Sequence, residues 1–294
     1  MSIVDGQWVG PILDDHFHLN RKGRFIAAAQ DFANSGGTHL ILVHCPDFSN
    51  LPTTAAEYSD AYADTVAMAE KVRREVELDV RVMLGPHPAA FAHQCLAWEQ
   101  EDGESGGERA MELYHESITE ALKFIHEGKA VGLGEVGRPH WQVSASIWER
   151  SNALLGETLS IAAREGVPCQ LHVEGDESAP YADIAPMADR AGLARKRLVR
   201  HFAPPDVSDE LTRGMVPSVI LQKGGIDTLI ATIERCSGGF MLETDHMDDP
   251  RRPGAVLGPK TVPKRTQALV AAGVDEEVLY RTHVDLPNSI YGID

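Results

Sequence analysis

The chain has 294 residues, with 27 Lys+Arg against 44 Asp+Glu and a formal net charge of −17. At 43% apolar and 24% charged it is too hydrophobic to stay disordered, and it is long enough to bury a large core without covalent staples. The acidic balance argues against an extended nucleic-acid coat or a membrane-surface binder, both of which need a cationic face.

Short apolar runs alternate with helical patterns along the chain. Pro11–Leu19 (PILDDHFHL) precedes a helical segment at Arg24–Asn34, and His39–Pro46 (HLILVHCP) precedes Thr54–Glu77. Val80–Pro88 (VRVMLGPHP) is followed by Glu99–Glu108 (EQEDGESGGE), which reads as a solvated surface loop, and then by a helix over Glu108–His126. Ala130–Arg138 (AVGLGEVGR) leads to Ser146–Arg164, Pro168–Gly175 (PCQLHVEG) to Tyr181–Ala191, and Arg197–Ala203 (RLVRHFA) to Asp206–Arg213. Val216–Gln222 (VPSVILQ), a helix at Asp227–Cys236 and Phe240–Asp245 (FMLETD) complete the series. Strand–helix alternation at these lengths predicts parallel strands joined by right-handed crossovers. With eight units and no linker between them, the expected fold is α/β, a single (β/α)8 TIM-barrel domain over residues 1–294.

The four cysteines, Cys45, Cys95, Cys169 and Cys236, are far apart and form no Cys-x-x-Cys. Reduced thiols are expected, with Cys45 and Cys169 in buried strands. The start, MSIVDGQWVGPILDD, lacks the basic residues and the apolar stretch of ~7–15 residues of a signal peptide. No segment approaches the ~18 apolar residues of a spanning helix. A cytoplasmic protein is the expectation. The basic residues comprise 19 Arg and only 8 Lys, and an acidic, lysine-poor chain suits a salty cytoplasm that screens self-repulsion.

A buried parallel strand should be almost wholly apolar. Several of these runs instead end in polar groups: His16 and His18 on the first, His44 on the second, His87 after the third, Glu135 on the fourth, His172 on the fifth, His201 on the sixth and Asp245 on the eighth. The C-terminal rim is where barrel enzymes place their chemistry. Left unpaired, each such group would cost ~1–3 kcal/mol, and a metal centre would satisfy most of them together. His16 and His18, two residues apart on a strand, share a face ~6–7 Å apart, with Phe17 turned outward to the helix layer.

The set DDHFHL, GPHP, GEVG, QLHVEG, RHFA and LETDHMDDP resembles the TatD-related metal-dependent hydrolases of the amidohydrolase superfamily across nearly the whole chain. The resemblance implies a (β/α)8 barrel with two divalent ions. It assigns His16, His18, Glu135 and Asp245 to one ion and Glu135, His172 and His201 to the other, with Glu135 bridging. Arg138-Pro139-His140-Trp141 stands where the bacterial TatD nucleases usually have Leu-Asp-Tyr after GEVG. RHFA and the long segment after Asp245 also depart from them. The chain looks closer to an archaeal TatD-like subgroup.

No lysine lies between Ala130 and Gln142, so a carboxylated-lysine bridge of the phosphotriesterase kind is not available there. Two ions ~3.5–4 Å apart would lower the pKa of a shared water towards 7, with Asp245 as ligand and general base and Glu135 as the second catalytic carboxylate. Imidazole and carboxylate ligands suit Zn, Mn, Fe or Co.

Ten basic residues fall in segments expected on the catalytic side: Arg21, Lys22, Arg24, Arg138, Lys223, Arg251, Arg252, Lys260, Lys264 and Arg265. They suggest a small anionic or phosphorylated substrate, with Arg138, Lys223, Arg251 and Arg252 as the chosen contacts. His87, His140 and His246 are candidates for substrate contact or leaving-group protonation, while His93, His115, His126 and His283 read as structural. Pro250, Pro253, Pro259 and Pro263 should stiffen the segment after Asp245 into a wall. The leading expectation is a phosphoesterase, acting on nucleic-acid ends or a small phosphorylated compound. An amide, lactone or cyclic-imine hydrolase using the same water is the alternative. A non-catalytic metal-binding barrel would be indicated by Glu135 or Asp245 turning away from the histidines.

Overall fold

The computed structural model describes Ser2–Arg252 and Val256–Ile293; Pro253 of the proline-rich segment lies outside the described residues. Eight parallel strands make one sheet: β1 (Leu13–Phe17), β2 (His39–Val43), β3 (Asp79–Leu84), β4 (Gly132–Gly137), β5 (Cys169–His172), β6 (Leu198–Ala203), β7 (Val216–Ile220) and β8 (Met241–Glu243). Each lies beside its successor, and Phe17 at the end of β1 bridges in parallel to His246 just past β8. The sheet therefore returns to its first strand, which is the expected (β/α)8 barrel topology. A short antiparallel pair, Ile3–Val4 with Gln7–Trp8, precedes it.

The strands are buried on both faces: every residue of β1, β4 and β7 is buried, as parallel strands covered by helices must be. Most helices fall where their patterns place them, including Ala55–Glu75, Ala145–Glu165 and Ala179–Ala191. Phe17 faces the helix layer, its ring 6.4 Å from Phe32 in the helix Ile26–Asn34.

By its internal contacts the chain divides into two compact units. One comprises Met1–Leu42, Ala67–Arg81 and His201–Asp294; the other comprises Val43–Val66 and Val82–Arg200. All four divisions fall inside strands or helices, with no linker at any of them.

The stretch Glu99–Glu108 is not a loop. A helix over Pro88–Asp102 gives way at Gly103, with φ 65°, directly to a second helix over Glu104–His126. Gly106 and Gly107, which read as loop signals, are contact points between helices. A Cβ on Gly106 would lie 2.0 Å from the Trp98 carbonyl oxygen, so only glycine allows that approach. Cys45 also differs from expectation, lying half-buried just past β2. Cys169 is buried at the start of β5, where burial pushes its thiol up to about 12. None of the four cysteines is in a disulfide.

Candidate metal centre

The candidate metal ligands read from the sequence fall in two groups, one within each unit. In the first unit β1 carries His16 and His18, β6 carries His201, and Asp245 follows β8. His16 Nε2 and His18 Nε2 lie 3.0 Å apart, and Asp245 Oδ1 is 3.9 Å from the first and 3.5 Å from the second. The His201 ring stacks on His16 at 4.0 Å between centroids. Donor atoms of His16, His201 and Asp245 all lie within 4.8 Å of one another. The register between β1 and β2 shifts between Asp14 and Phe17, around His16. Such irregularities re-aim side chains beside functional sites.

Two buried carboxylates that the sequence reading left without a role hold this cluster in place. Glu243 Oε1 accepts from His201 Nδ1 at 3.2 Å and from the Phe202 amide at 2.8 Å. A histidine whose Nδ1–H donates to a carboxylate presents the Nε2 lone pair to a metal. Burial and the neighbouring Asp245 hold the Glu243 carboxyl well above the usual range. Asp14 accepts from the Thr244 amide at 3.0 Å and the Thr244 hydroxyl at 2.7 Å, and burial raises its carboxyl to about 7. It thereby ties β1 to the turn where Asp245 adopts a left-handed φ of 48°, a conformation Asp tolerates better than most residues. The available signal was alternation: Asp14 and His16, like Glu243 and Asp245, are two residues apart on otherwise apolar runs.

In the second unit β4 carries Glu135 and β5 ends in His172. Glu135 Oε2 lies 2.6 Å from His172 Nδ1 and 3.2 Å from His87 Nε2. His172 Nε2 is 2.7 Å from His140 Nδ1. His87 caps the helix Pro88–Asp102, its Nδ1 accepting from the Ala89 amide at 3.0 Å. A neutral His87 therefore carries its proton on Nε2, which makes it a donor more than a ligand. The β4–β5 register shifts between Leu133 and Val136, around Glu135.

Most of the other candidates have structural partners. Arg138 is buried, with Nε 3.0 Å from Glu174 Oε2 and its second terminal nitrogen on Glu174 Oε1. Its remaining terminal nitrogen reaches Asn152 at 3.3 Å and Asp183 at 3.4 Å. Arg251 and Arg252 both bond Asp249, Lys260 and Arg24 bond Asp31, and Arg265 donates to the Leu221 carbonyl. Lys223 is exposed in a short 3-10 turn after β7. Asp248 accepts from the amides of Asn20, Arg24 and Phe25, organising the loop after β1. The His246 ring lies 4.6 Å from Phe17, with Nδ1 3.4 Å from the Leu257 carbonyl, and burial lowers its pKa. His44 bonds Thr65 at 2.9 Å.

These donors fit a divalent ion. Two imidazole Nε2 atoms at 3.0 Å need a proton or cation between them, and the His201–Glu243 pair orients a third imidazole. Neither Glu135 nor Asp245 turns away from the histidines.

Comparison with known proteins shows the fold and the family. A family model described as TatD related DNase matches residues 13–292. The uncharacterized protein MJ1127 of Methanocaldococcus jannaschii is 30% identical over 287 residues, covering 97% of this chain and 96% of that one. Among solved structures, the TatD-like protein of Archaeoglobus fulgidus shares the fold with a TM-score of 0.60 at 15% identity, covering 96% of this chain and all of that one. The Escherichia coli phosphotriesterase homology protein, solved with phosphate in its active site, gives 0.63 at 12% identity, covering 96% and 98%. The chain belongs to the TatD-related DNase family, a metal-dependent hydrolase fold with archaeal members among its relatives.

Proposed function

We propose that this protein is a two-metal hydrolase that cleaves a phosphoester. His16, His18 and Asp245 would hold one ion; the roles that the resemblance gives Glu135, His172 and His201 are part of the proposal. Bound Zn, Mn, Fe or Co ions would supply a water acidic enough to ionise near neutral pH. Asp245 would take the attacking water's proton, and the His87 Nε2–H, which faces Glu135 Oε2 at 3.2 Å, would pass to substrate or leaving-group oxygen once it exchanges that partner. Asp14, through Thr244, fixes the turn that presents Asp245, and Glu243 fixes His201. The observation that carries this reading is the meeting of His16, His18, His201 and Asp245 from three strand ends around donor atoms a few ångströms apart.

The test is hydrolysis of an aryl phosphodiester and of a 3′ oligonucleotide end by the protein loaded with Mn²⁺ or Zn²⁺. Asp245→Asn should lose at least about a hundredfold in rate while keeping its far-UV circular dichroism; a fully active Asp245→Asn would refute the assigned base.

A second reading, hydrolysis of an amide, lactone or cyclic imine by the same water, gains from one finding. Arg138, the cation nearest in sequence to Glu135 among the chosen contacts, is bonded to Glu174, so anion binding there would require Glu174 to give way. Hydrolysis of aryl lactones with no turnover of phosphodiesters would favour it. A cytoplasmic setting belongs to the same proposal. Among the described residues no helix is long and apolar enough to cross a membrane.

A further inference from the structure

Six aromatic rings close a circuit around the rim of the second unit. From His172 the ring of His140 is 4.9 Å away, Trp141 is 5.0 Å from His140, and His93 stacks on Trp141 at 5.0 Å and 25°. His93 leads to Phe48 at 6.4 Å, Phe48 to His87 at 5.4 Å, and His87 back to His172 at 4.5 Å. The rings come from the segments following β2, β3 and β4 and from the end of β5. This is not core packing, since Phe48 is 37% exposed and His93 and His140 are exposed. Only 6% of the chain is Phe, Trp or Tyr, so Phe48 and Trp141 beside the Glu135 cluster are a local concentration. Two of the rings, His140 and Trp141, lie in the stretch that departs from the bacterial pattern.

We infer that this collar is a recognition subsite for a planar ring, and that the substrate is a small ring-bearing phosphoester of mononucleotide size, gripped by stacking. The inference rests on the phosphoester reading and narrows it. Stacking on aromatic side chains tolerates any flat ring and contributes about tenfold or more in affinity per ring. A polymer, by contrast, is held chiefly through several free cations along its phosphates. Beside this cluster the guanidinium of Arg138 is buried on Glu174, and the chain carries a net charge of −17. A single flat ring with one phosphate matches a collar of rings beside a metal-binding cluster better than a DNA strand does.

Calorimetric titration of the metal-loaded protein with AMP and with ribose 5-phosphate isolates the ring, because the two differ only in the base. AMP should bind at least about tenfold more tightly. Phe48→Leu and Trp141→Leu should each bring the ratio of the two affinities towards one, and Trp141→Phe should restore it. An oligothymidylate should bind no more than about threefold more tightly than thymidine monophosphate, with little salt dependence. Equal affinities for AMP and ribose 5-phosphate, no AMP binding, or a ratio unmoved in both leucine variants would overturn the subsite. A strongly salt-dependent preference for the oligonucleotide would overturn the size assignment. Base-dependent binding without turnover of any phosphoester would leave the collar standing and remove the phosphoester reading, so the two failures are distinct.

Discussion

At the scale of single residues, a buried carboxylate beside the first cluster decides what its neighbour can do. Glu243 accepts the His201 Nδ1–H and so determines which nitrogen of that ring carries a lone pair. Glu243→Ala should weaken metal affinity by about 10–100-fold, while Glu243→Gln, which keeps an acceptor oxygen, should recover most of it. Titration of the metal-free variants with Zn²⁺ against a chelating indicator measures this directly, and equal loss in both variants would mean that charge, not orientation, is what Glu243 supplies. Arg138 shows the limit of reading a cation from its position. Three residues past Glu135 it suggested a substrate clamp, yet Glu174, two residues past His172, offers a bidentate partner, and the Trp148 ring lies 4.8 Å from the guanidinium carbon. The sequence shows a cation's side of the sheet but not the carboxylate it will meet. The strand-end histidines were legible as candidates because a polar residue ending a buried apolar strand costs free energy until a partner or an ion satisfies it.

At the scale of elements, all eight strands were legible from apolar runs, and the C-terminal ends of all but the sixth, which ends at Ala203 as read, were overestimated. His18, His44 and Gly85–His87 continue the apolar pattern past the last paired residue because these segments are buried as site loops. Pro88 then starts a helix capped by His87, a junction whose glycine and proline read as the end of a strand. The misread Glu99–Glu108 has the same origin: glycine signals a loop or a close approach, and only tertiary contact with Trp98 tells which. The C-terminal segment supplies a further prediction. His283 is buried, its Nδ1 accepting from the Leu13 amide at 3.2 Å at the start of β1 and its Nε2 3.0 Å from the Thr266 hydroxyl. Burial holds it neutral, lowering its pKa to about 3. The unfolded chain binds a proton there below pH ~6.5 and the folded chain does not, so stability is full above that pH and falls as the pH drops towards 3. Denaturant titrations of the metal-free protein from pH ~7 to ~4 should show a loss of a few kcal/mol from this group, and His283→Gln should flatten the slope. An unchanged slope would mean that His283 is already protonated in the folded state.

At the scale of the whole molecule, the charge is the dominant feature that the fold does not explain. A net charge of −17 destabilises the compact state by self-repulsion unless counterions screen it. The melting temperature should therefore rise with added KCl, and dialysis into low salt should cost fold and activity together; a melting temperature independent of salt would remove the idea of a salty setting. The topology and the family were readable because motifs at six of the eight strands constrain one another, whereas the substrate depends on loops whose pairings are local.

The central claim is that the histidines and carboxylates at the strand ends bind metal. The most direct measurement is metal analysis of the purified protein joined to anomalous diffraction at the corresponding absorption edges. The account predicts stoichiometric divalent ions about 2.0–2.2 Å from nitrogen and oxygen donors of His16, His18, His172, His201 and Asp245. A protein that carries no stoichiometric ion after incubation with Zn²⁺ or Mn²⁺, or whose ions lie elsewhere, would contradict it.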